Sequence, residues 1–359
     1  MNKLKIYLFS LTSKYILFNL IIISVLVMFI NLIELSRLIE KNDYSLYKFF
    51  LLTFLKLPSI LNDIIPFVTI IGVSFLFRNL INNNELISMR NIGLSIFDIF
   101  APIGMAVFLF GLFFLLILNP ISSNFENKFK NILNKKDQDL YSIKINNNEM
   151  WIKNNIDENS TRFINIKNID LKEMMASDIE ILLINPKSKI FIKAEDGKFN
   201  DNYLFLENVT YYDLKIDSFE IKKKFEIEIN FNKENIINSI ANYKLIPFYK
   251  YFSHTKTLKK FNLYSSEIGL FYISEFLKPI FIVMLSFVVV GVCGKFKRNE
   301  NFFKILFISI FIGFLVFFLK ELITKFTITL NINFLLSYSM IFFIPFSIGL
   351  YQIINIEND

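Results

Sequence analysis

Six long apolar runs, grouped as three and three on either side of a polar stretch, constrain this chain more than any other feature. Each run approaches the ~20 residues that an α-helix needs to cross ~30 Å of hydrocarbon. The runs cover approximately residues 15–33, 57–77, 99–118, 268–292, 302–319 and 334–354. We therefore predict two membrane segments of three helices each, 1–121 and 267–359, around an inserted water-soluble domain, 122–266.

The distribution of Lys and Arg predicts the orientation, because these residues favour the cytoplasmic ends of membrane helices. They are concentrated before the first run and in the loops that follow the second and fourth runs, at Lys3, Lys5, Lys14, Arg78, Arg90, Lys295, Lys297, Arg298 and Lys304. The opposite loops mix basic with acidic residues. This bias places both termini in the cytoplasm and the middle domain outside.

The middle domain has the sequence pattern of β-strands. Residues 180–185 and 189–193 are short β-branched runs separated by a turn sequence, and residues 224–231 alternate strictly between apolar and polar side chains. Frequent turn residues between such runs favour a sandwich or a jelly-roll-like sheet. The predicted fold class is therefore a membrane α-helical protein, with 3+3 transmembrane helices, carrying an all-β jelly-roll-like insertion.

Residues 78–95, between the second and third runs, predict a short helix near 83–93. Asn83 or Asn84 can cap its start, Glu85 suits its first turn, and Gly93 can end it in a left-handed conformation. One interpretation is a simple connector with a helix at the membrane surface. The other is a coupling helix that docks on a cytoplasmic motor, in which Leu86 and Met89 supply apolar anchors and Glu85 and Arg90 polar contacts.

Several segments carry a resemblance to a known family. They are Tyr15-Ile16, residues 57–58 with 65–67 and Gly72, residues 84–95, residues 118–120, and residues 278–287. With the six-helix layout, these resemble the YjgP/YjgQ permease family, the LptF and LptG subunits of the lipopolysaccharide export ABC transporter. The loop at 294–298 lacks the Pro-Arg-Gly-type sequence of LptF, so the chain looks more like LptG, with an LptF-type subunit as the alternative.

The resemblance implies a set of partners and sites. It implies an inner-membrane permease with a periplasmic middle domain, an LptF-like second permease, an LptB-like ATPase dimer and an LptC-like single-helix protein. Lipopolysaccharide would enter a cavity lined by Phe and Leu, and no nucleic acid is involved. The implied ATPase-coupling residues are Glu85, Leu86, Met89, Arg90 and Gly93. Arg37 and, more weakly, Lys41 are the implied contacts for lipid phosphates.

Other interpretations remain open for particular residues. Arg37 could instead anchor its helix at the interface or pair with an acidic neighbour, and Asp63 lies near the presumed outer end of the second helix. Glu275 and Lys278 lie three residues apart and can pair on one helical face, either as an interfacial ion pair or as a headgroup contact.

The sequence contains no recognisable chemistry of its own. It has one histidine, His254, and one cysteine, Cys293, so a His-rich metal site and an intrachain disulfide are excluded. Residues 291–295 lack the spacing of a phosphate-binding loop. We expect no cofactor and no metal, and energy supplied by a partner. The alternatives are a non-transporting envelope scaffold or mechanotransmitting protein, and a membrane-embedded enzyme.

Overall fold

The computed structural model of the chain describes residues 2–39, 46–133, 141–146, 149–157, 160–170, 173–185, 189–200, 203–213, 218–229, 243–260, 264–295, 301–330 and 332–358. The chain divides into two compact units. One comprises Met1–Glu126 with Leu270–Asp359, and the other comprises Asn127–Gly269.

Six helical spans are long and apolar enough to cross a membrane, as predicted. The helices of the described chain are α1 (Asn2–Ile39), α2 (Leu46–Asn82), α3 (Glu85–Asn91), α4 (Ile96–Phe113), a π-helical turn (Phe114–Leu118), α5 (Asn119–Leu133), α6 (Tyr251–Lys260), α7 (Ser266–Cys293), α8 (Phe302–Thr329) and α9 (Phe334–Asn358). The third span is composite, because α4 continues through the π-turn into α5. The helices are longer than the apolar runs, because further turns extend α1 and α2 at both ends and α8 and α9 at their C-terminal ends.

The membrane unit has an inner and an outer set of helices. The apolar stretches of α2 and α7 are mostly buried, whereas few residues are buried in those of α1, α8 and α9. Close approach between helices depends on small residues. A Cβ added to Gly111 in α4 would lie 2.7 Å from the Cα of Pro279 in α7. The third span and α7 are therefore in backbone contact at this point.

The inserted unit contains one antiparallel sheet of seven described strands in the order β1 to β7. They are β1 (Tyr141–Asn146), β2 (Glu149–Asp157), β3 (Ser160–Asp170), β4 (Met175–Ile184), β5 (Lys189–Asn200), β6 (Tyr203–Asp213) and β7 (Ser218–Glu228). The predicted all-β insertion is confirmed. Its described strands follow chain order as a meander, a simpler connection than the strand exchange of a jelly roll. The turn predicted at 185–188 lies largely outside the described residues.

A polar crease crosses this sheet. Strand pairing omits one residue in each of five neighbouring strands, and these residues are Lys167, Asp178, Glu195, Asn208 and Lys223. The buried positions shift by one residue at the crease, so that two adjacent residues face solvent where strict alternation would expose one. Asp178 and Asn208 adopt positive φ angles of 54° and 51°, which lets the strand change face without a change of register.

The sheet also curls back on itself. Arg162 in β3 donates a hydrogen bond to the backbone carbonyl of Glu228 at the end of β7, although three strands lie between them in the sheet order. Burial lowers the pKa of Arg162, while the nearby Glu228 carboxylate opposes that shift. The buried face of the curled sheet forms the apolar core of this unit, with Ile164, Ile181 and Leu204 among its fully buried side chains.

Candidate functional site

The short helix expected between the second and third spans is present as α3. Asn84 precedes it in a left-handed conformation (φ 58°), and the Asn84 carbonyl accepts hydrogen bonds from the backbone and side chain of Ser88. Asn84 therefore occupies the cap position through its backbone. The amide of Asn83 donates to Glu85 at 3.4 Å.

The end of α3 follows the prediction for Gly93. Its φ is 90°, its N–H donates to the Arg90 carbonyl at 2.9 Å, and the N–H of Leu94 donates to the Met89 carbonyl at 3.2 Å. These two bonds form a Schellman motif, in which glycine relieves the strain of positive φ. The chain then turns directly into α4, whose first turn is capped reciprocally by Ser95 and Asp98.

The apolar face of α3 packs inward. Leu86 and Met89 are buried, 5% and 4% exposed, and belong to the core of the membrane unit. They fix α3 to its own bundle, and their role as anchors for a partner stays a prediction. The apolar side chains that this turn presents to solvent are Ile87 and Ile92, 52% and 78% exposed.

Hydrogen bonds tie α3 to α1 and α9, and a further bond ties α9 to α4. The Tyr7 hydroxyl of α1 donates to the Glu85 carboxylate at 2.8 Å. Arg90 donates to the carbonyl of Ile356 near the end of α9 at 3.1 Å, and the neighbouring Glu357 accepts from the backbone N–H of Ile96 at 3.1 Å. The last two bonds each pair a charged side chain with a backbone group at a helix end, Arg90 at the end of α9 and Glu357 at the start of α4.

These contacts explain what the sequence could not reveal. Tyr7, Ile356 and Glu357 lie far along the chain from α3, and no local pattern indicates that they meet it. The result is a platform made by the first turns of α1, by α3, by the start of α4 and by the end of α9. A load applied to α3 would be transmitted to these helices.

The two residues expected to contact lipid phosphates are placed only in part. Arg37 falls in the last turn of α1, and Lys41 lies outside the described residues. The nearby Glu34 pairs with Lys56 of α2 at 3.3 Å. An ion pair between α1 and α2 thus lies one turn from Arg37.

A buried polar cluster joins three of the spans. The Glu275 carboxylate of α7, in a residue only 5% exposed, forms an ion pair with Lys278 and accepts hydrogen bonds from the amides of Asn62 and Asn119, both at 3.3 Å. Lys278 also donates to the backbone carbonyl of Asn62 at 3.4 Å. Asn62 belongs to α2, and Asn119 follows the π-turn of the third span.

The cluster has a clear physical role. A buried carboxylate is stable only when it is paired and hydrogen-bonded, and here the partners come from all three helices. Glu275 lies about five turns of α7 from its end at Cys293. The ion pair that sequence spacing predicted is present, but as a buried junction and not as an isolated interfacial pair.

A second cation lies on α8. The Lys320 ammonium is 3.9 Å from the Glu321 carboxylate and lies over the rings of Phe281 and Phe317, with ring-centre distances of 5.2 and 5.5 Å. These contacts hold the charge within the bundle. The face of α8 that remains exposed carries stacked phenyl pairs, including Phe314 with Phe318 at 6.4 Å.

The β unit carries an open groove of about 890 Å³ beside the polar crease. Its lining combines the exposed apolar side chains of Met175 and Phe205 with acidic and basic residues, in which Asp196, Glu207 and Glu226 outnumber Lys198 and Lys224. The excess of acidic residues disfavours binding of a phosphate group in this groove.

The described residues contain no cluster of three His, Cys, Asp or Glu side chains that could hold a metal ion. Gly291 lies inside α7, where a Cβ would approach the Gln352 side chain of α9 to 2.9 Å. This glycine serves close helix packing and does not form a phosphate-binding loop.

A comparison with protein families identifies the chain. The family model described as lipopolysaccharide export system permease LptF/LptG matches residues 6–355. The chain belongs to the LptF/LptG family. The comparison with individually curated proteins finds no match. As a member of the LptF/LptG family, the chain is a multi-pass protein of the inner membrane and a permease subunit for lipopolysaccharide export.

The buried polar cluster around Glu275 includes residues from segments that resemble the LptF/LptG family. The segments that carried the resemblance include Asn119 and the stretch beginning at Lys278, and these meet through Glu275. The segments of the third and fourth spans that resemble the family therefore contain residues that meet in the folded chain.

Proposed function

We propose that the chain is an LptG-like permease subunit whose helix α3 receives the force of an LptB-like ATPase dimer. The platform that fixes α3 to α1, α4 and α9 supports this proposal most directly. A rigid helix with an exposed apolar edge, Ile87 and Ile92, can transmit a push from a docked partner to several spans at once. Glu85 and Arg90 are the polar contacts of this surface in the proposal, and Gly93 sets its end.

In this proposal both termini are cytoplasmic and the β unit is periplasmic. The concentration of Lys and Arg near α3 and at the N-terminus supports this orientation. The chain pairs with an LptF-like second permease and an LptC-like single-helix protein, and passes lipid to the periplasmic bridge. The chain itself hydrolyses no ATP.

The lipid path in the proposal follows the exposed apolar faces of α1 and α8. On α8, Phe307 stacks with Phe311 at a ring-centre distance of 6.3 Å, next to the Phe314 pair. Such a face suits acyl chains. Arg37 and Lys41, near the end of α1, are the proposed contacts for the phosphates, since the guanidinium group binds phosphate oxygens through two parallel hydrogen bonds.

The test is co-purification from the native membrane in mild detergent. The unaltered chain is expected to bring an ATPase and a second six-helix permease with it. Ile92→Asp should reduce the ATPase recovered at least about tenfold, because a charge is placed in an apolar contact. Ile221→Asp is the matched control, since Ile221 in β7 is 75% exposed, close to the value for Ile92.

Two outcomes would change the proposal. Equal ATPase recovery with Ile92→Asp and Ile221→Asp would remove α3 from the docking surface. A companion permease of the LptG type would reassign this chain to the LptF type without altering the coupling role.

A further inference from the structure

A second surface lies between the sheet and the fourth span, in residues 243–260. This segment consists of two short 3₁₀ turns, Tyr243–Leu245 and Phe248–Lys250, followed by α6. Its sequence contains five lysines, one histidine and no acidic residue. We call residues 243–260 the basic segment.

The basic segment has distinct inner and outer faces. Tyr251 and Leu258, seven residues apart in α6, are 3% and 0% exposed and pack inward. Phe252, Lys256 and Lys259 follow each other at helical spacing and point outward. Phe252 is 86% exposed. The outer face of α6 therefore presents a largely exposed phenyl ring between lysine side chains.

Both ends of the basic segment are held where the chain enters the membrane. The Tyr243 hydroxyl donates to the Glu267 carboxylate in the first turn of α7 at 2.9 Å. Burial, together with the hydrogen bond to Glu267, raises the pKa of Tyr243 to about 12, so its hydroxyl keeps its proton at neutral pH. At the other end, the Lys259 ammonium lies 5.0 Å from the ring centre of Tyr264, two residues before α7 begins.

A third contact joins the basic segment to α5, the helix that leads from the third span to the sheet. The amide of Asn127 in α5 donates to the carbonyl of Leu245 at 3.2 Å. α5 is the continuation of the third span, and α7 is the fourth span. The basic segment is thus hydrogen-bonded to α5 and to the first turn of α7. At most ~20 Å of extended chain separates the end of α6 from the start of α7.

From these contacts we infer that the outer face of the basic segment lies on the bilayer surface and binds anionic phospholipid. The lysines meet the phosphates, and Phe252 and Tyr249 insert at the level of the headgroups. Tyr249, three residues before Phe252, is 59% exposed. Basic residues with exposed aromatic rings are the composition that binds such an interface. The inference requires only the multi-pass membrane placement, and it holds for an LptG-type or an LptF-type subunit.

The test uses tryptophan fluorescence of the full chain in nanodiscs. Trp151 is the single tryptophan, so Trp151→Phe provides a silent background for Phe252→Trp. With brominated acyl chains in bilayers containing phosphatidylglycerol, we expect the emission of Phe252→Trp to fall at least about twofold. Phe219→Trp, at a position 66% exposed in β7, is the matched control and should show little quenching.

The charge dependence is tested separately. Replacing Lys250, Lys256 and Lys259 together by Gln should reduce the quenching in phosphatidylglycerol to its level in phosphatidylcholine. The matched control replaces the basic run Lys222, Lys223 and Lys224 of β7 by Gln and should leave the quenching unchanged. Equal quenching of Phe252→Trp and Phe219→Trp, or quenching independent of lipid charge, would overturn the inference.

Discussion

The polar side chains of the membrane unit and of the β unit find their hydrogen-bond partners in different places. In the membrane helices, hydroxyl side chains turn back to their own backbone, as Thr12 does to the Leu8 carbonyl at 2.6 Å and Ser74 to the Ile70 carbonyl at 2.8 Å. In the β unit, polar side chains line an exposed crease that crosses five strands. The difference reflects the two solvents, because hydrocarbon offers no hydrogen bonds whereas water offers them everywhere.

This contrast extends to charges. The ion pair of Glu275 with Lys278 is buried and fully surrounded by hydrogen-bond partners, whereas Glu207 and Lys224 in the sheet are exposed and 3.9 Å apart. Buried pairs are strongly coupled to folding, and exposed pairs contribute little. The same chemical pair should therefore have very different effects in the two units.

Breaking the buried pair is the most severe test of this comparison. Glu275→Ala leaves Lys278 without its carboxylate and should cost ~3–5 kcal/mol of stability. Glu207→Ala should cost ~0–1 kcal/mol. The measurement is the midpoint of thermal unfolding of the purified protein in detergent. Replacing both partners, Glu275→Leu with Lys278→Met, should restore most of the loss, and a similar small change at both glutamates would refute the contrast.

Replacing one glycine in each unit by alanine compares how tightly the membrane helices and the sheet are packed. The new Cβ of Gly111→Ala meets the backbone of Pro279 at 2.7 Å, so we expect a loss of ~1–3 kcal/mol. In the sheet, the Cβ of Gly197→Ala first meets the end of the Ile179 side chain, which can rotate away. The β variant should therefore lose clearly less stability in the same unfolding measurement. The reverse order would show that the helices adjust more easily than the sheet.

The smallest predicted effect concerns the crease. Asp178→Val places a β-branched residue at a φ of 54° and should cost ~1–2 kcal/mol, whereas Asp178→Gly should cost nothing measurable. Ser177→Val, at the neighbouring position, is the matched control and should change stability by less than ~0.5 kcal/mol. Chemical denaturation followed by the fluorescence of Trp151 in the same sheet reports the change. Equal losses for the two valine variants would mean that the crease is not strained.

The difference between the two solvents also explains which features of the structure could be predicted from the sequence. The six spans and the all-β insertion were predictable, because run length and alternation depend on the solvent alone. The burial of Leu86 and Met89 was not, since apolar side chains in a short helix fit a core as well as a partner. The sequence around Tyr7 and Glu85 contains no pattern that indicates the hydrogen bond between their side chains.

The polar features were only partly predictable. The spacing of Glu275 and Lys278 predicted their pairing, but Asn62 and Asn119 come from other helices, and their meeting depends on the packing of three spans. In the sheet, adjacent polar residues such as Glu195 and Asp196 interrupt the alternation, and this pattern could have indicated the crease. The positive φ angles there have no sequence marker beyond Asn and Asp.

Labelling of single cysteines from one side of the membrane tests the central claim most directly. Cys293 is the only cysteine and is buried, so Ile221→Cys and Ile92→Cys each add one accessible thiol. In intact spheroplasts, a maleimide that cannot cross the membrane should label Ile221→Cys in the β unit, and Ile92→Cys beside α3 only after permeabilisation. Labelling of Ile92→Cys in intact cells, with Ile221→Cys protected, would contradict the account.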